Sequence, residues 1–295
     1  VVDEGAGHPL LATLYEGKQR FMTALERTIP EPQVGLGEGL LLGVKQALGA
    51  EYEAIFRATG LMHIVVLSGY NVMLVVTFVL YGLSFLLPLR ARLVVGLGAI
   101  ASFALLVGLS ATVVRASIMA ALLLLARTFG RTYAIVRALL LAAVIMLLIN
   151  PYLLIYDVGF QLSFLATLGL IMLAPAVEER LFRVPSTFGM REFLTATLVT
   201  QFFVSPLLLY QIGQFSLVSV IVNVLVLPMV PVAMLLTFIT GVVGMVSLVL
   251  AAPIAQLAYW SLSYIIFISQ FFAALPLAAV VVPPFPVTVM VGAYV

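Results

Sequence analysis

The sequence predicts an all-α polytopic membrane protein, and three observations carry that reading. Of 295 residues, 64% are hydrophobic and 9% charged, against about 45–50% and about 25% in soluble globular domains. The apolar residues gather into runs long enough to cross ~30 Å of hydrocarbon as helices. The basic residues gather in alternate loops between those runs: Arg90 and Arg92, then Arg127 and Arg131, then Arg180, Arg183 and Arg191. A soluble fold cannot cover so much apolar surface. The net charge of +2 is uninformative beside this arrangement, and the absence of cysteine excludes a disulfide framework and thiolate metal sites. The chain begins at Val1 without a charged, signal-like segment, which is the expectation for a processed or excised portion of a longer protein.

Residues 1–58 form the first unit, an extracytoplasmic segment of amphipathic and interfacial helix. Leu10 to Thr28 alternates apolar and charged residues at helical spacing, as a helix on a membrane surface or against a partner does. Pro30 and Pro32 end it. Gly35 to Leu48 is glycine-rich and apolar but too short to cross, so it reads as re-entrant or interfacial.

Residues 59–295 form a polytopic unit of about eight or nine transmembrane segments, some short or broken. The runs are Leu61–Leu87, Leu93–Leu109, Thr112–Ala126, Ile135–Ile149, Tyr152–Ala174, Phe193–Ile212, Leu217–Val249 and Ile254–Leu275, with an apolar tail to Val295. Only Ser110 and Ala111 separate the second from the third, which predicts a tight hairpin. Pro228 and Pro231 interrupt the seventh, and a helix broken in this way tends to line a cavity, because its freed carbonyls need partners. If every run crosses once, the arginine loops share a face. The positive-inside rule makes that face cytoplasmic and residues 1–58 external. From Phe193 onward no charge remains to report orientation.

The stretch Thr59–Val75 carries His63, Ser68 and Asn71 among the glycines Gly60 and Gly69. Helical spacing sets His63, Leu67 and either Tyr70 or Asn71 along one side, with Ser68 beside them. Such groups cannot face lipid, so a bundle interior or a wet cavity is expected, and the glycines permit close contact or break the helix. Arg115 and Asp157 are charges set into later runs. Each unpaired charge at the bilayer centre costs about 2.5–3.5 kcal/mol, which favours pairing them. The alternative is that Arg115 snorkels to an interface and Asp157 caps its helix. Asp157, Gln161 and Phe164 share a helix face, with Ser163 close by. The two histidines, His8 and His63, suggest no metal site; there is no phosphate-loop motif and no aromatic cofactor box, so no cofactor is expected.

In order along the chain stand GEGLLLGVKQAL, RATGLMHIVVLSGYNV, VVRASIMAALLLLAR, INPYLLIYDVGFQLSFLATLGL and VSVIVNVLVLPMVP. Together, over Gly37 to Pro231, they resemble the ComEC competence family, the inner-membrane channel proteins of bacterial DNA uptake. The resemblance implies a channel that passes single-stranded DNA across the cytoplasmic membrane in natural transformation, and not an enzyme. It implies path roles for His63, Ser68, Gly69, Arg115, Asp157, Gly159, Gln161, Ser163 and Asn223, and Asn71 joins them on its position. Expected partners are single-stranded DNA, membrane lipid, a DNA receptor outside and a cytoplasmic translocase. Where the family usually has a histidine this chain has Asn71, so a metal or pH-sensing role there is not supported. The OB-like and metallo-β-lactamase-like domains of many members are not recognisable, and the chain looks like the membrane core alone. Two other classes compete. One is a secondary transporter of a small solute, motivated by the broken seventh run. The other is an intramembrane serine hydrolase using Ser68 and His63 with Asp157.

Overall fold

Glycines, prolines and a few polar caps cut a nearly continuous apolar chain into short and long helices. The computed structural model describes residues 9–44, 48–65, 68–86, 88–185 and 189–294. His8, Lys45, Val66, Leu67 and Leu87, on which expectations about the histidines, the re-entrant segment and the first run rested, lie outside the described residues. The amphipathic stretch is α1 (Pro9–Glu26), followed by α2 (Gln33–Leu42) and α3 (Gly49–Ala58). The first apolar run is not one helix. It divides into α4 (Met62–Val65) and α5 (Gly69–Leu86), because Gly60 adopts a left-handed φ of 76° before it and Ser68 caps a fresh helix within it.

α6 (Leu89–Val107) and α7 (Ala111–Thr128) form the expected hairpin, turning at Gly108, whose φ is 97°. α8 (Ile135–Ile149) has the predicted bounds. The fifth run begins with a single turn, α9 (Leu153–Tyr156), and restarts as α10 (Val158–Arg180). α11 (Met190–Ile212) packs along α10, with Gly169 making room for Phe203, whose Cγ would lie 2.7 Å from a Cβ there. The seventh run breaks as its prolines predict, into α12 (Ser219–Val226) and α13 (Val230–Gly244), bent by 48°. It ends at Gly244, and α14 (Leu248–Ala273) already begins at Leu248, where the expected span had not yet ended; Ser247 caps it by accepting from the Leu250 N–H. Two strands, β1 (Gln214–Ser216) and β2 (Ala279–Val281), pair antiparallel with Phe215 opposite Val280, and a one-turn helix, α15 (Val287–Gly292), follows.

Among the described residues four helices, α7, α10, α11 and α14, are long and apolar enough to cross a membrane, and the bent α12–α13 pair adds a fifth if it is one span. α5, α6 and α8 contain shorter apolar helical stretches. The surface agrees: Leu148, Ile149, Phe202, Val246 and Val249 are large apolar side chains left mostly exposed, an arrangement that suits lipid and not water. The protein is an all-α polytopic membrane protein.

The main core forms around α2. This helix is buried on every side from Val34 to Leu41, with Glu38 the one charged residue among its apolar side chains and glycines. Leu36 and Leu40 share a cluster with Leu25 at the end of α1, Phe56 of α3, Val65 of α4, Val226 of α12, Met234 of α13 and Leu262 of α14. Glycines allow the approach: a Cβ on Gly37 would lie 2.9 Å from the Thr237 methyl, and one on Gly39 3.2 Å from Val65. Residues 9–58 thus share one apolar core with the later helices. A second cluster joins α5, α6 and α7 through Val72, Ile100 and Ala116. A third joins α7, α8 and α10 through Ala111, Met146 and Phe160.

Candidate functional site at the break between α4 and α5

Breaking a helix inside an apolar bundle frees carbonyls that no water can reach, and each needs a donor. Asn71 supplies two. Its Nδ2 donates to Ile64 O at 2.7 Å and to Leu40 O at 3.2 Å, tying the ends of α4 and α2 to the first turn of α5. Its backbone N–H donates to Ser68 Oγ at 3.2 Å, while that hydroxyl donates to Asn71 Oδ1 at 3.1 Å. Asn71 is 1% exposed, so it staples three helix ends in dry packing.

Beside this staple lies Arg115. A Cβ on Gly69 would stand 2.6 Å from Arg115 Nη2, so glycine is what lets the guanidinium rest against the start of α5. From α7 the arginine reaches across to α10. Nε donates to Ser163 Oγ at 2.6 Å, and Nη1 donates to Thr167 Oγ1 at 2.9 Å and to Met119 Sδ at 3.5 Å. The Phe164 ring centre is 5.9 Å from Cζ. Ser163 and Thr167 lie four residues apart and therefore on one face of α10, and Thr167 in turn donates to Ser163 O at 2.8 Å. Arg115 as a residue is 9% exposed, and no ion pair to its guanidinium forms among the described residues.

Asp157 does not supply that counter-charge. Its Oδ1 accepts from the Phe160 N–H at 2.7 Å and caps α10, with Gly159 leaving room: a Cβ there would come to 3.1 Å from the same oxygen. Of the two readings of these charges, capping holds for Asp157, whereas Arg115 is buried and neither snorkels nor pairs with it. The arginine's partners, Ser163 and Thr167, stand about two to three turns further along the same helix. Gln161 serves the break before α10, its Nε2 donating to Leu154 O at 2.9 Å and Ile155 O at 3.0 Å.

The structure therefore brings Ser68, Gly69, Asn71, Arg115 and Ser163 together, and sets Asp157 and Gln161 at the foot of α10. His63 stands apart on α4, exposed, its Nδ1–H donating to Gly60 O at 2.9 Å. Ser68 and His63 are each bonded elsewhere. Asn223 lies on α12, buried, with Oδ1 lacking a hydrogen-bond partner. Its neighbourhood is joined to the first stretch at another point, where Ser219 packs against Gly60 and donates to Gln201 Oε1 at 3.1 Å. Thr167, Met119 and Phe164 complete the arginine's surroundings and were not singled out as site residues; the four-residue spacing of Ser163 and Thr167 was the available signal. Two crevices are lined by other residues, one by α1, α5, α6 and α13, the other by Arg27, Gln256 and Tyr259 among others.

A break stapled by Asn71, with a cation carried across two further helices, involves Leu40 of GEGLLLGVKQAL and residues of RATGLMHIVVLSGYNV, VVRASIMAALLLLAR and INPYLLIYDVGFQLSFLATLGL, four of the five stretches the sequence set apart. The sequence profile described as "Competence protein" matches residues 40–295. The chain belongs to the competence protein family. One relative is ComE operon protein 3 of Bacillus subtilis (strain 168), 24% identical over 212 residues, which are 72% of this chain and 26% of that protein. The chain thus spans about a quarter of that relative's length. No solved structure matches it. The family match takes in Arg115, Gly69 and the α10 hydroxyls, and it begins at Leu40, whose carbonyl Asn71 holds.

Proposed function

We propose that this chain is the membrane part of a DNA-uptake channel, passing single-stranded DNA across the bacterial cytoplasmic membrane during transformation. The observation that supports the reading best is the buried guanidinium of Arg115, held by two hydroxyls, a thioether and an aromatic face and by no carboxylate. Neutral donors and acceptors fix its geometry without cancelling its charge. A phosphate diester moving past would meet a positive group whose attraction is strengthened by low dielectric surroundings. A single such group suits transit, because a densely basic wall would hold the polymer too tightly to release it. Ser68, Asp157 and Gln161 belong to the same proposed path, and His63 and Asn223 to stretches of it that stand apart from the arginine. A DNA receptor outside and a translocase inside are the partners this role requires, with residues 1–58 on the outer side.

The test is uptake of labelled DNA by cells carrying Arg115→Gln or Arg115→Lys in the full-length protein. Loss of one charge-assisted contact, worth about 1.5–3 kcal/mol, predicts a fall of roughly 10- to 100-fold for Arg115→Gln at unchanged membrane abundance, with partial retention by lysine. Unchanged uptake in Arg115→Gln would remove the reading. The 48° bend between α12 and α13 favours, as a second reading, transport of a small solute at a broken helix. A small anion that competes with DNA for uptake would favour that alternative.

A further inference from the structure

The core around α2 contains a carboxyl group that the transport reading does not use. Glu38 sits in the middle of α2, 3% exposed, and its Oε1 is buried without a hydrogen-bond partner. Its sequence neighbours hold it there. Gly37 and Gly39 press the helix against Thr237 of α13 and Val65 of α4, so α2 cannot turn the side chain outward without parting those contacts. α13 and α14, which pack on α2, carry no charged residue, nor do α5 and α12. The charged groups acting on Glu38 come from one side: Lys18 and Glu26 on α1, and Glu31 in the turn before α2. On the other packed elements, His63 of α4 is bonded to Gly60 O, and α3 bears Glu51 and Arg57, both exposed, and Glu53, half-buried. Lys18 does not form a salt bridge with Glu38; its Nζ donates to Leu106 O at the end of α6, at 2.9 Å.

We propose that Glu38 is a proton-binding site of the bundle, occupied when α2 is seated in the core. An ionised carboxylate there would have a buried oxygen without a donor, which is far more costly than a neutral carboxyl. α2 lies outside the candidate spans, and burial, reinforced by Glu26 and Glu31 and opposed by Lys18, pushes the Glu38 carboxyl up to about 7. The exchange is simple: Glu38–COOH gives its proton to water and becomes a carboxylate. Lys18 is a cation that acts on Glu38, so loss of the proton would draw its ammonium from the Leu106 carbonyl and weaken the tie between α1 and α6. The ligand is a proton and not a metal ion, because no group of three or more His, Cys, Asp or Glu side chains able to hold a metal ion occurs among the described residues. The inference is independent of what the channel carries.

A hydrophobic carbodiimide tests it directly. The reagent takes the proton of a neutral carboxyl onto nitrogen, the carboxylate oxygen adds to its central carbon, and the adduct rearranges to a stable N-acylurea. Full-length protein in native membrane vesicles is treated with dicyclohexylcarbodiimide at a series of pH values, and adducts are located by peptide mass. The reagent needs a neutral carboxyl in apolar surroundings, which is Glu38 in its buried place, whereas Glu16 is exposed and paired with Arg20, so Glu38 should react more than ~10-fold faster than Glu16 at pH 7. Glu38 labelling should itself decline as pH rises through 7 to 9, and the adduct should vanish in Glu38→Gln. Glu38 labelling equal to or below that of Glu16 across the whole series would overturn the proposal, and that comparison needs only the unmutated protein.

Discussion

At the scale of single residues, the structure gives three side chains work that their positions in sequence did not announce. Asn71 donates to two carbonyls from different helices. Asn71→Leu would leave both buried and unpaired at about 1–3 kcal/mol each, so thermal unfolding in detergent should occur at lower temperature, and Asn71→Gln should not restore it fully. Gly69 is the floor under Arg115. Gly69→Ala already puts a carbon 2.6 Å from Nη2, so the guanidinium must move; labelled-DNA uptake should fall toward the level of Arg115→Gln while membrane insertion is kept, and normal uptake by Gly69→Leu would contradict this arrangement. For Glu38 the sign of the pH dependence follows from a carboxyl pushed up to about 7 when folded from about 4.3 when unfolded. The folded state binds the proton more tightly, so this group's contribution is full below about pH 4 and is lost as pH rises through 7. Glu38→Gln, unable to ionise, should therefore gain on the unmutated protein between pH 5 and pH 8 in thermal unfolding. A constant difference over that range would argue against a shifted carboxyl. None of the three partners could be read from the sequence. An amide's carbonyl acceptors, a guanidinium's hydroxyls and a carboxyl's isolation are tertiary facts, set by helices far apart in the chain.

At the scale of helices, the sequence was more informative. α8 ends where its apolar run ends, and the prolines at Pro228 and Pro231 mark a true break, since a chain lacking an N–H cannot continue the ladder. The first run was less legible. Its hydropathy is continuous, and only the Ser68-Gly69 pair hints that a new helix starts there; the division holds because Asn71 and Gly60 satisfy and shape the gap. The charges in α7 and α10 illustrate the same limit. Both Asp157 and Ser163 lie within reach of a neighbouring helix by periodicity alone, but Asp157 is already committed to the α10 N-terminus. At this scale Gln161 yields a further expectation. Gln161→Leu removes the donor to Leu154 O and Ile155 O and should loosen α9, seen as faster hydrogen exchange between residues 153 and 160 with α10 beyond Gly169 unaffected.

At the scale of the whole molecule, a helix buried on all sides, α2, stands where a soluble protein would have its centre, while large apolar side chains cover the outside. α13 and α14, which enclose residues 33–42, lie far from them along the chain, so this core is complete only when both have packed on α2. The orientation expected from the arginines remains a clear experiment: reporters fused after Arg131 or Arg183 should report from the cytoplasm, and opposite locations for the two would overturn the assignment of faces. One further feature bears on how such a bundle could widen. β1 and β2 join the chain just after α11 to the chain just after α14, and Val282 N–H donates to Gly213 O at 2.8 Å beyond them. They act as a buckle that brings the two ends of the α12–α14 hairpin side by side. Cysteines placed at Phe215 and Val280 and oxidised to a disulfide should therefore leave uptake intact, whereas abolished uptake would mean that the buckle itself must open. Parting the helices at the buckle breaks backbone bonds one after another, but tilting them apart from the far end breaks none of these. In the bundle, the strand pair is a rivet: it pins where the two chain ends meet and leaves the spacing of the helices beyond it to side-chain packing.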